Sequence, residues 1–248
     1  MAYDRTDEQR MLVDLIGTVA RQGASGWGDV VVANGLDLLG VPTDEGGAGG
    51  DPRDASVVAE ALGRAGAGLP FAEHWTATRL GARTEGEPRA TSAAAVLALA
   101  RGEGEQGWAE DAMAVLHCAE IVGLCDAMLR DAALFAKERR QFGAAIAQFQ
   151  VLRHRMSDMA MMLEQARAAT DLAIEALDHE DEPTRRRAAS AARVLADDAA
   201  RIVGEGAVQI HGAMGLTAEL RLGDLFRRAR VLMQGDGGAR AHLRRYAA

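Results

Sequence analysis

Over residues 108–140 apolar side chains recur at Met113, Leu116, Ile121, Leu124, Met128 and Leu134, a spacing of three to seven that draws one long stripe down a helix. A second stripe over residues 149–177 carries Leu152, Met156, Met159, Leu163, Ala166 and Leu172. Acidic residues and Pro183 interrupt the pattern, and further helices are predicted over residues 184–209 and 217–233, followed by a short one bearing Leu243 and Tyr246. Only one proline occurs in the 160 residues from Arg89 to the C-terminus, so nothing opposes this reading. Long helices joined by short turns predict an antiparallel bundle of four or five.

The first eighty residues have a different texture. Met11, Leu12, Leu15 and Ile16 mark an opening helix, residues 39–52 (LGVPTDEGGAGGDP) a turn-rich loop, and Asp54 the N-cap of a helix running through Val57, Val58 and Leu62. The GGAGG run lacks the Lys-Ser/Thr of a phosphate loop and reads as turn chemistry. Residues 84–107 offer room for two or three strands of about five residues, too few for a barrel. The fold class is therefore all-α: an N-terminal helical unit over residues 1–83, a connector over 84–107 and a C-terminal bundle over 108–248.

Composition narrows the function classes. The chain has 248 residues, 48% of them hydrophobic, enough for a core of ordinary size. A net charge of −8 argues against nucleic acid as a partner, and the Arg clusters at 185–187, 227–230 and 244–245 read as solvated helix faces. No uninterrupted apolar run approaches the roughly 18 residues of a membrane span, and the N-terminus lacks a secretion pattern, so a cytoplasmic location is expected. Cys118 and Cys125 lie seven apart on one helix, too far for a disulfide, and read as packing residues. No Glu-x-x-His occurs and no His completes a cysteine zinc site, so no metal is expected. The histidines at 74, 117, 154, 179 and 242 stand in no motif.

Two runs carry chemistry: residues 138–150 (ERRQFGAAIAQFQ) and residues 209–219 (QIHGAMGLTAE). Read alone, Arg139 is a surface cation for Glu138 or Asp131, and His211-Gly212 is a helix C-terminus. In this order, with DEQRMLVDLI, LLGVPTDEGGAGG, VVAEALGRAGAGLP and AEIVGLCDAMLRDAALFAKERRQFG ahead of them, the runs resemble the acyl-CoA dehydrogenase family over most of the chain. The resemblance implies a shortened member in which the family's middle β-barrel is missing. It also implies FAD as cofactor: Arg139 and the pair Gln209 and Gly212 match residues that meet the FAD pyrophosphate of a neighbouring subunit, Phe142 packs beside the nucleotide, and Gln150 closes the first run. Ala213 stands where a glycine is common in the family.

The base that removes a proton beside the thioester is less well matched. Asp236 falls at the family's C-terminal carboxylate position, one methylene shorter than the usual Glu, and could equally cap the last helix. The family's other base position falls near Met113, with Glu120 one to two turns further on as a reserve candidate or a satisfied structural acid.

The reading is the small subunit of a heteromeric FAD-dependent dehydrogenase of acyl-CoA or carrier-bound acyl thioesters, as a homodimer or a heterotetramer with a longer subunit. The alternatives are a non-redox acyl-thioester enzyme (dehydratase, isomerase or cyclase) and a non-catalytic scaffold. Loss of the barrel is expected to expose apolar faces of the central helices for a partner to cover.

Overall fold

The computed structural model describes residues 4–82, 87–179, 181–212, 215 and 220–248, with backbone only for His179 and Asp236. Its N-terminal unit is built from α1 (Asp7–Arg21), α2 (Trp27–Val30), α3 (Pro52–Ala65) and α4 (Phe71–Arg79). The connector carries α5 (Ala93–Leu97); the bundle comprises α6 (Glu103–Glu138), α7 (Gln150–His179), α8 (Glu182–His211), α9 (Leu222–Gln234) and α10 (Gly238–Ala247). Among the described residues the only sheet is a two-residue hairpin, β1 (Arg140–Gln141) against β2 (Ala144–Ala145). The all-α expectation holds, and among the described residues no barrel stands between the two units.

Local chemistry accounts for the element boundaries. Thr6 caps α1 in a reciprocal box with Gln9. The cap of α3 is Asp51 rather than Asp54: Pro52 fits the first helical position, and Asp54 sits three residues past the cap, where its carboxylate returns a bond to the Asp51 N–H at 3.2 Å. Pro183 likewise falls in the first turn of α8 instead of outside it. The connector is more ordered than its sequence suggests, since Ser92 caps α5 and α6 already begins at Glu103. The start predicted for the fourth helix at Thr217 lies outside the described residues; α9 begins at Leu222.

Helix α6 is the axis of the molecule, packed on α3, α7, α8 and α9. Its most apolar 18-residue window is 94% buried, so a composition apolar enough to cross a membrane is used up within the chain. For α6 this corrects the expectation of bare apolar faces, whereas α7 keeps Val151, Met161 and Leu172 exposed. The connector takes part in the cover: Ala90 and Val96 close a small cluster over Ala109 and Met113 of α6 and Ala77 of α4. Two residues assigned to the inner stripes face outward, Leu134 at 56% exposure and Leu172 at 66%. The neighbouring buried positions are Ala132, Ala136, Ala173 and Ala176, because tightly packed helices leave room only for small side chains there.

The closest backbone approach joins the two units. A Cβ on Gly63 of α3 would stand 2.2 Å from the Glu120 carbonyl, and one on Gly123 of α6 would stand 2.0 Å from the Glu60 carbonyl. Charges reinforce the same junction. Buried Glu60 accepts from Arg5 at 2.5 Å, Arg64 at 2.5 Å and Arg167 at 2.7 Å, tying α3 to the N-terminal segment and α7. Burial alone would raise the Glu60 carboxyl, but Arg167, Arg5 and Arg64 hold it below its ordinary value. Arg193, fully buried on α8, donates to Asp197 at 3.0 Å and to the carbonyls of Leu232 and Gly235, which closes the C-terminal end of α9.

Candidate functional site

The two motif runs meet at one end of the bundle. Arg139 caps α6 in extended geometry, and the chain turns through the hairpin with Phe142 at φ 52° and Gly143 at φ 79°. Two consecutive positive φ values suit a tight hairpin turn, a conformation that costs a Phe of order 1 kcal/mol or more where a glycine would be relaxed. The ring of Phe142 is 93% exposed and meets Phe149 edge-on at 6.2 Å. Gln150, the first residue of α7, is exposed with its amide 3.1 Å from His154. Hydrogen bonds from Arg139 N to Phe135 O (2.8 Å) and from Ile146 N to Arg139 O (2.9 Å) fix the backbone on both sides of the arginine.

The second run ends α8. Gln209 is exposed, and Gly212 is the helix cap at φ 63°, ψ −143°, with no atom within 4 Å of where a Cβ would stand. What joins the runs is a residue between them. The His211 ring stacks on Phe135 at 4.4 Å with 28° between planes, and its Nδ1 lies 2.9 Å from Ala207 O. Phe135 is one turn before Arg139, and His211 is two residues after Gln209. The stack therefore brings the ends of α6 and α8 side by side. Ala213 lies outside the described residues.

The guanidinium of Arg139 is exposed and makes no hydrogen bond or ion pair with another described residue. Asp131, its candidate partner, is instead held in a bidentate pair by Arg221, both contacts 2.8 Å. A planar fork of donors, an exposed aromatic face and a glycine open to backbone approach share one end of the bundle. This set of groups fits a dinucleotide's diphosphate.

The candidate bases sit elsewhere. Glu120 is buried, with Arg228 donating to its two oxygens at 2.6 and 2.9 Å, the arrangement of a satisfied structural acid. The Asp236 side chain lies outside the described residues, and its backbone belongs to the 3₁₀ turn Gly235–Gly237 between α9 and α10. Beside that turn a cavity of about 290 Å³ is lined by Ala93 and Leu97 of α5, Glu110 and Met113 of α6, and His242 and Arg245 of α10. Asp111, at its edge, is fully buried between Arg185 at 2.9 Å and Arg245 at 2.5 Å.

Sequence reasoning missed most of this ionic frame. Apart from the local Glu60–Arg64 contact, the Glu60, Glu120 and Asp111 pairs span 55 to 134 residues, and no local pattern announces them. Cys118 and Cys125 are buried, and burial pushes the Cys125 thiol up to about 12, which makes it an inert packing group. His74 is buried against Trp27, accepting from Arg89 N at 3.0 Å with its other nitrogen 2.9 Å from Asp37 O. It locks the connector to the N-terminal unit.

The chain is similar to known proteins in both sequence and fold. Residues 106–248 match the family model described as acyl-CoA dehydrogenase, C-terminal domain. The acyl-CoA dehydrogenase IpdE2 of Mycolicibacterium smegmatis is 36% identical over 142 residues, covering 57% of this chain and 43% of that protein. The chain thus matches less than half the length of this curated relative. In fold it is similar to a chain of the ChsE4-ChsE5 complex from Mycobacterium tuberculosis, with TM-score 0.83 and 15% identity over 100% of this chain and 98% of the other. Butyryl-CoA dehydrogenase from Megasphaera elsdenii superposes with TM-score 0.78 and 16% identity over 100% and 99% of the two chains. By the match over its bundle, the chain belongs to the acyl-CoA dehydrogenase family.

Proposed function

We propose that this chain is the small subunit of a heteromeric, FAD-dependent α,β-dehydrogenase of acyl thioesters, in which it provides the half-site for the FAD pyrophosphate and adenine. The observation that carries the reading is the Phe135–His211 stack, which brings the Arg139 turn to the Gln209–Gly212 helix end while the Arg139 guanidinium is left without a described partner. Arg139 and Gln209 donate to diphosphate oxygens, the bare Gly212 backbone approaches them, and Phe142 covers the nucleotide face. The bound flavin would accept the hydride from the acyl chain; this chain holds and orients its diphosphate end.

The barrel that clasps the ring and the base that removes the α-proton belong to a longer partner subunit. Two features of the chain support that division. Glu120 is engaged by Arg228, and the cavity beside Met113, already closed by Leu97 of the connector, is at the small end of the range for ligand sites. Similarity in fold to a chain of the ChsE4-ChsE5 complex supports a partner of the same family. The substrate is an acyl-CoA or a carrier-bound acyl thioester, and the assembly is a heterotetramer.

Co-expression with the genes on either side, followed by native mass spectrometry and an absorbance scan, tests the reading. A complex of two different subunits carrying flavin is expected, and Arg139→Ala in that complex should deplete the flavin. Recovery of this chain alone and colourless would overturn it.

A further inference from the structure

A groove of about 550 Å³ lies between α1 and α6, away from both the Arg139 turn and the cavity beside Met113. Its floor is made of small side chains, Gly17, Ala61, Ala65 and Ala127, and its rim carries Arg21, Arg64, Arg130 and Arg221. Against these four cations the lining holds one carboxylate, Asp14, in a chain whose net charge is −8. Arg64 and Arg130 also wall an adjoining recess of about 390 Å³ that bears four further arginines and the carboxylates of Asp4, Glu60 and Asp171.

The guanidiniums are held from behind. Asp126 accepts from Arg64 Nε at 2.6 Å and from Arg130 Nε at 3.0 Å; Asp131 takes Arg221 through Nε and Nη2; Thr18 takes Arg21 Nη2 at 3.0 Å. Each of the four keeps at least one terminal nitrogen that bonds to no described residue. Burial alone would raise the Asp126 carboxyl, but Arg64 and Arg130 hold it low, so the carboxylate that orients them stays charged. Oriented forks lose little side-chain entropy on meeting an anion, and a flat apolar floor beside them suits a ring rather than a second charge.

We propose that this groove binds a nucleoside diphosphate, the phosphate oxygens taking the free guanidinium donors and the base lying on the alanine and glycine floor. The site is separate from the diphosphate contact proposed at Arg139, which lies nine residues further along α6, about 13 Å of helix rise from Arg130.

Calorimetric titration of the full chain with ADP at low ionic strength tests the inference. In the Arg139→Gln chain, where the diphosphate contact proposed at the other site is removed, one-to-one binding that weakens on adding salt is expected. Arg21→Gln and Arg130→Gln should each weaken it about tenfold or more without moving the melting temperature, since the Arg130 side chain is 67% exposed. Asp14→Asn should tighten it. Absence of ADP binding, equal binding by Arg130→Gln, or loss of binding in Arg139→Gln would each overturn the assignment, the last by moving the anion to the other site.

Discussion

The two ends of the Arg139-to-Glu60 span use charge in opposite ways. Around the α3–α6 crossing, carboxylates are buried and satisfied: Glu60 takes three arginines, Asp126 two, and Glu120 both donors of Arg228. At the tip of the bundle Arg139, Phe142, Gln150 and Gln209 stand exposed, and the arginine is tied to no described group. A buried carboxylate engaged from two sides contributes to folding. A charge held only through its backbone adds little to stability and remains available. The same residue type thus serves as frame in one region and, on the function proposed above, as recognition in the other.

Substitutions can break that contrast, beginning with the largest effect. Glu120→Ala should cost about 3–5 kcal/mol in a denaturant melt, because it strands the half-buried Arg228. Gly123→Ala should follow at about 3 kcal/mol, since a methyl placed 2.0 Å from the Glu60 carbonyl must force α3 and α6 apart. Acid provides a third probe through His74, whose imidazole burial lowers from 6.5 to about 4. Between those values the unfolded chain binds the proton and the folded chain does not. Stability is therefore full above pH 6.5 and falls toward pH 4, by up to roughly 3 kcal/mol. His74→Asn should flatten the melting temperature over that window; an unchanged slope would place the titration elsewhere. Smallest of all, Arg139→Ala should move stability by no more than about 0.5 kcal/mol while removing flavin from the heteromeric complex. If it destabilised the chain as much as Glu120→Ala, the separation of frame from recognition would be lost.

The helical plan was legible because proline punctuation and a repeat near 3.6 survive in the sequence, and α6 is proline-free throughout. The family runs were legible as strings, and the structure puts both at one end of the bundle. The finer packing was not, for a physical reason: alanines carry the interfaces. Ala166, Ala192, Ala196, Ala199 and Ala207 are fully buried, whereas Leu134 and Leu172, the louder signals in a hydrophobic pattern, point outward. Capping was read one turn late at Asp54, because both carboxylates of a reciprocal box look alike until Pro52 is placed at the first helical position. The ionic frame stayed hidden because its partners come together only after α1, α3, α6, α7 and α9 have docked. From the sequence the connector is a short link with room for two or three strands; Ser92, Val96 and the His74–Arg89 contact make it a folded cover.

The paired glycines at Gly63 and Gly123 carry a mechanical consequence. With each helix seated on the other's carbonyl groups, no side-chain layer is left between them to act as a lubricant, and sliding one past the other would drive backbone into backbone. A displacement of α6 at this crossing must therefore carry α3 with it.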